Sequence, residues 1–161
     1  MKTLIRPLVI AAGVLWAASA HAGASRIGNA YYEDIFPFKD CPSISGCIAT
    51  SSAATPSDAY VRMKHFYCNI TATSETLYSL QLELWTAPPG MSGASRIKTV
   101  PLSFSPPVAS NSTTIYYNID HDILLATGPG RYVVFNANFL QVGSASLSCA
   151  ITGDLIPPPA Q

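Results

Sequence analysis

The sequence predicts an all-β fold: a single antiparallel β-sandwich of about seven strands. Three observations lead there. Helical periodicity is nearly absent after the first two dozen residues, period-two alternation recurs between Gly, Pro, Asn and Ser clusters, and four cysteines follow an export-type leader. Short alternating strands separated by turn signals belong to sandwiches and barrels.

The leader comes first. Lys2 and Arg6 form a positive start, residues 8–18 are apolar apart from Gly13, and Ala20-His21-Ala22 puts small residues where a signal peptidase reads. The apolar run is shorter than the roughly 20 residues of a permanent membrane span. Residues 1–22 are therefore expected to be a signal peptide, with cleavage before Gly23 and no integral membrane segment afterwards. The sandwich domain is expected over residues 23–152, followed by a Pro-rich tail over 153–161, where Pro157-Pro158-Pro159 favours an extended chain. The expected location is exported, either periplasmic or secreted.

Within the domain each strand has its own signature. Residues 27–36 form a weak first strand containing Tyr31 and Tyr32. In residues 60–72, Phe66, Cys68 and Ile70 share an inward face while Tyr67 and Asn69 point away. Residues 76–86 alternate most clearly, with Tyr78, Leu80, Leu82 and Leu84 on one face and Ser79, Gln81, Glu83 and Trp85 on the other. Residues 96–104 put Val100, Leu102 and Phe104 inward, and Pro101, which lacks a ladder donor, assigns this strand to a sheet edge or a bulge. Ile115, Tyr117 and Ile119 align in residues 113–119, and Val133, Phe135, Ala137 and Phe139 in 131–142. Gly143-Ser144 has the Gly-X form of a two-residue hairpin turn, predicting a final strand with Ala145, Leu147, Cys149 and Ile151 inward.

Composition narrows the function classes. Lys2 and Arg6 leave with the leader, so seven basic residues face nine acidic ones, a net charge of −2. That is no footprint for nucleic acid or an anionic membrane. Cys41, Cys47, Cys68 and Cys149 lack the C-x2-C spacing of a zinc site, and an even count in an oxidising compartment reads as two disulfides. Cys68 and Cys149 both face inward, and Pro42 and Gly46 let the 41–47 segment turn on itself. The expected pairing is Cys41–Cys47 with Cys68–Cys149.

The segment Leu124-Leu125-Ala126-Thr127-Gly128-Pro129-Gly130-Arg131-Tyr132-Val133-Val134-Phe135 resembles the corner before the penultimate strand of immunoglobulin-like and fibronectin type III sandwiches. The resemblance implies an immunoglobulin-like sandwich in which the Tyr132 hydroxyl bonds upstream backbone to close the corner. The cysteines depart from antibody placement, since Cys149 lies on the last strand. The fold-level likeness does not choose a function.

No catalytic or cofactor motif stands out. Asp120-His121-Asp122 is the densest titratable cluster, but on a strand His121 faces away from the two aspartates, and a polar turn ending the strand at Ile119 accounts for it better. His65 lies on a strand beside Lys64 and Phe66, and a Gly-x-Ser-x-Gly elbow is absent. The expected function is a non-catalytic binding domain of the cell envelope or extracellular space, with a protein or glycan as partner, no cofactor and no metal. The alternatives are a small secreted hydrolase using His65 or His121, and a structural envelope subunit. The candidate binding residues are the outward aromatics Trp85, Tyr67 and Tyr116, which suit sugar stacking or protein contact. Asn69-Ile70-Thr71 and Asn111-Ser112-Thr113 match the glycosylation sequon and are expected to be unmodified after bacterial-style export.

Overall fold

The structure is a computed structural model that describes residues 23–73, 76–110 and 113–158. The expected signal peptide, Asn111 of the second sequon and the last three residues lie outside them. Among the described residues there is no helix, and nine strands occur: β1 Ala24–Ile27, β2 Tyr31–Ile35, β3 Lys39–Thr50, β4 Tyr60–Thr73, β5 Leu77–Trp85, β6 Arg96–Leu102, β7 Ala109–Ser110, β8 Thr114–Thr127 and β9 Tyr132–Ile156. Every pairing is antiparallel.

The strands form two sheets that share β9. Residues 132–139 of β9 lie between β5 and the end of β3, and β6 pairs on the far side of β5. We call this sheet I. Residues 144–156 of β9 lie between β4 and, on the other side, β2 and the start of β3. β8 extends this second sheet beyond β4, with the two-residue β7 at its end; we call it sheet II. Core side chains meet between the two: Phe135 of sheet I stacks on Phe66 of sheet II at 4.8 Å, and Phe36 packs on Phe135 at the same distance. Burial of these aromatics and of Met63, Leu82, Ile119, Leu147 and Ile151 is the main force holding the sheets together.

The predicted hairpin at Gly143-Ser144 is not formed. β9 runs straight through these residues and changes sheet there, because β3 stays paired with it on both sides of the bend. Cys41 is opposite Ala145 and Cys47 opposite Ala137, so six steps of β3 accompany eight of β9, and β3 shifts register between Cys41 and Gly46. β9 takes the outside of the corner, and Leu140 projects into solvent. Bulges of this kind let strands turn from one sheet into another. The Cys41–Cys47 disulfide spans the inside of this bend, so it staples a bulged strand instead of closing a loop. Cys68–Cys149 joins directly opposed residues of β4 and β9. Both predicted pairings are present.

Sheet II is splayed at one level. Between Met63 and Phe66, β4 advances three residues while β9 advances two, from Gly153 to Ile151, and β8 advances four, from Leu125 to His121. This bulge breaks the alternation of β4, so Lys64 and His65 are both at least partly exposed. It also brings Arg62 backbone onto Gly153: a Cβ there would lie 2.9 Å from the Arg62 carbonyl carbon and from Met63 Cα. Glycine marks such close approaches in strands.

Other expectations need correction. Tyr78 does not share the inward face of Leu80: a register shift between Leu77 and Ser79 buries Leu77 and leaves Tyr78 exposed. The corner at residues 128–133 is not closed by Tyr132, whose hydroxyl has no hydrogen-bond partner among the described residues. Thr55 and Ser51 close it. The Thr55 hydroxyl donates to the Gly128 carbonyl and accepts from the Arg131 N–H. The Ser51 hydroxyl accepts from the Val133 N–H at 3.1 Å. β9 also continues to Ile156, through residues expected to belong to the tail. The architecture is compatible with a β-sandwich.

Candidate functional site

The candidate binding aromatics fall into two places. Tyr67 on β4 and Tyr116 on β8 share the outer face of sheet II. Tyr67 is opposite Asp120 and Tyr116 opposite Thr71, which separates the rings by four residues along the strands, roughly 13 Å. Trp85 lies on the outer face of sheet I and joins neither.

Alternation puts Tyr67, Asn69 and Thr71 of β4, Tyr116 and Asn118 of β8, and Ser146 and Ser148 of β9 on one surface. Asn69 is flanked by Asn118 on one side and Ser148 on the other. The Asn69 side-chain amide donates to the Tyr67 hydroxyl. Two residues of strand span roughly 6.6 Å, about the length of a tyrosine side chain, so this bond directs the Tyr67 side chain along the strand toward Asn69. Tyr116 is exposed.

The same face also carries charge: exposed Asp40 of β3 is opposite Ser146 and beside Thr71, Asp120 is opposite Tyr67, and the ion pairs gather toward the end beyond Tyr67. The Asp154 carboxylate takes Arg62 at 2.8 Å and Lys64 at 2.7 Å, and the Lys64 and Arg62 contacts hold its pKa below the usual carboxylate range. His65 sits between Asp120 and Asp122, Nε2 at 3.2 Å from the first and Nδ1 at 3.1 Å from the second. Sequence reasoning separated His65 from the Asp120-His121-Asp122 cluster; the register of β4 against β8 brings His65 to the aspartates and sends His121 to the opposite face. Among the described residues no group of three or more His, Cys, Asp or Glu side chains is placed to hold a metal ion.

His121 points between the sheets, with its ring 6.3 Å from that of Phe66. Its Nε2–H donates to the Ser103 carbonyl, and Ser103 Oγ lies 3.4 Å from the same nitrogen. A nitrogen that donates to a carbonyl has no lone pair left to take a proton from the serine. His65 turns each ring nitrogen toward a carboxylate and neither toward a serine. Neither histidine stands in the arrangement that activates a serine.

On sheet I, Trp85 is half-buried and its indole N–H donates to Glu83 Oε2 at 2.7 Å. The other carboxylate oxygen takes Arg96 at 3.0 Å. Glu83 is only 2% exposed, although alternation puts it on the outer face. Val134, directly opposite, is likewise buried outside the main core. The 87–93 loop folds back on this side, where Pro89 shares a depression with Ile48 and Thr50. No protein-family model matches the chain, and no curated protein matches it either.

Proposed function

We propose that the chain is an exported, non-catalytic binding module whose partner is a glycan held on the outer face of sheet II. The supporting observation is the surface on which Tyr67, hydrogen-bonded to Asn69, and exposed Tyr116 flank a cluster of Asn, Ser and Thr side chains. Flat aromatic faces stack on the apolar faces of sugars, and amides and hydroxyls exchange hydrogen bonds with sugar hydroxyls at little desolvation cost. Asp40 beside Ser146 and Asp120 opposite Tyr67 add carboxylates that can accept from sugar hydroxyls and disfavour an anionic ligand. The two disulfides suit an oxidising, extracytoplasmic location. An immunoglobulin-like sandwich, as the resemblance implies, is a scaffold on which many unrelated binding surfaces are built.

The test is affinity gel electrophoresis in neutral polysaccharides together with a glycan array. Retention of the wild type, lost in Tyr67→Ala and in Tyr116→Ala with melting temperatures unchanged, supports the reading. Absence of any glycan signal for the wild type, or retention that survives both substitutions, overturns it.

A further inference from the structure

We propose a second binding site: the open side between β6 and β8 accepts an extended peptide segment of a partner protein, with alternating apolar residues and one acidic residue. This site is separate from the glycan face, and either stands or falls without the other.

The two strands border the same gap with unused backbone. Among the described residues β6 pairs only with β5, and β8 beyond Tyr116 pairs only with β4. Edge strands present rows of unpaired N–H and C=O groups that a further strand can complete. Between them is a cleft of about 470 Å³ whose apolar wall includes Leu82, Val100, Leu102, Ile123 and Leu125. These are the inward residues of their strands, so the cleft reaches the core. Leu124 stands at its rim, 87% exposed. One end is closed where His121 donates to the Ser103 carbonyl. The β8 stretch along the cleft, 121–125, offers roughly 16 Å of edge, about five residues of added strand. The splay of sheet II at this level, where β8 advances four residues against three of β4, displaces the edge that borders the cleft.

Charge selects the occupant. Lys98 lies opposite Leu84, on the same face of β6 as Val100 and Leu102, and it lines the cleft together with Asp122, whose carboxylate is engaged by His65. Like Lys39 and Arg131, Lys98 has no ion-pair partner among the described residues, whereas Arg26, Arg62, Lys64 and Arg96 are paired, and of the unpaired three it alone lines this cleft. An inward lysine on an edge strand repels indiscriminate strand addition. It admits a strand that brings a carboxylate to that position, which makes the same residue a specificity element.

The probe is an acetylated, amidated and fluorescently labelled heptapeptide, Thr-Val-Thr-Val-Thr-Glu-Thr, which puts the Glu on the same face as the valines and is read by anisotropy at low salt. It is compared with the same peptide carrying Lys for Glu, and binding is mapped by amide hydrogen exchange on the whole mature protein. The expected result is saturable binding of the Glu peptide, about tenfold weaker for the Lys peptide, with new protection in segments 96–103 and 120–127. Lys98→Glu reverses the preference. Lys98→Gln, which serves if the reversal variant does not fold, abolishes the preference without reversing it. No binding of the Glu peptide, protection elsewhere, or a preference untouched by both substitutions overturns the proposal. A dimer in the free protein that protects these same segments and excludes the peptide also overturns it, in favour of a second copy.

Discussion

The Tyr117 hydroxyl accepts a hydrogen bond from the Leu77 backbone N–H at 3.0 Å, joining β8 of sheet II to the first residue of β5 in sheet I. Both residues are buried, so the N–H has no water to turn to. Tyr117→Phe is expected to cost about 1–3 kcal/mol, the desolvation penalty of a buried donor left unpaired. Tyr132→Phe is expected to be near neutral, because that hydroxyl bonds nothing among the described residues. Urea midpoints of the two variants check both; equal midpoints contradict this division of roles.

The two disulfides differ in the length of chain they close. Cys68–Cys149 spans 81 residues and Cys41–Cys47 spans 6. In the chain-entropy account the first stabilises by about 4–5 kcal/mol and the second by about 2 kcal/mol. The double substitution Cys68→Ala/Cys149→Ala is therefore expected to lower stability far more than Cys41→Ala/Cys47→Ala. Denaturant titrations under non-reducing conditions decide it, and a larger loss from the short loop would mean that the β3–β9 bend is the weaker point of the fold.

Asp34 is buried on β2, where its carboxylate accepts from the Tyr32 hydroxyl and from the Ser52 backbone and hydroxyl. Burial raises its pKa above the ordinary value, with the Ser52 bonds pulling the other way. The unfolded chain therefore loses this proton before the folded one does. The contribution of Asp34 to stability is complete below the ordinary carboxylate pKa of about 3.9 and declines as pH rises through the raised value. Asn at this position still accepts from Ser52 and can donate to Tyr32. Asp34→Asn is thus expected to gain on the wild type as pH rises from about 3 to 7. Asp58 and Asp154, whose pKa values are lowered by Arg26 and by Lys64 and Arg62, act in the opposite sense but are common to both proteins and cancel. Melting temperatures across that range, taken as differences, show the trend; a difference independent of pH refutes it.

Alternation made much of this core legible. Leu80, Leu82 and Leu84, the Phe66-Cys68-Ile70 face and the long-range disulfide follow from period two and from two cysteines facing inward. What stayed hidden depends on pairing between distant strands. Gly143-Ser144 has the local chemistry of a hairpin, but a strand already held by β3 on both sides of the bend continues through it. His65 meets Asp120 and Asp122 only because of the β4–β8 register and the bulge after Met63, and no spacing within either strand encodes that. Lys98 sits at an inward position by alternation with Val100 and Leu102, a signal present in the sequence whose meaning required the gap beside β8.

Glu83 marks the limit of alternation most clearly, because it occupies an outer-face position and is almost fully buried. Its two carboxylate oxygens are taken by Trp85 and Arg96, so the indole serves it as both cover and donor. Trp85→Phe keeps most of the apolar cover and removes the N–H. It is expected to cost about 1–3 kcal/mol, because a charged acceptor would remain buried with one partner fewer. In a Glu83→Gln background the penalty should shrink, giving a coupling of about 0.5–3 kcal/mol between the two positions. Additive losses in this double-mutant cycle would show that the ring acts through packing alone. Under the proposed function, glycan retention of Trp85→Phe stays at the wild-type level, because Tyr67 and Tyr116 lie on the other sheet. Retention lost without a stability change would instead place Trp85 in the binding surface.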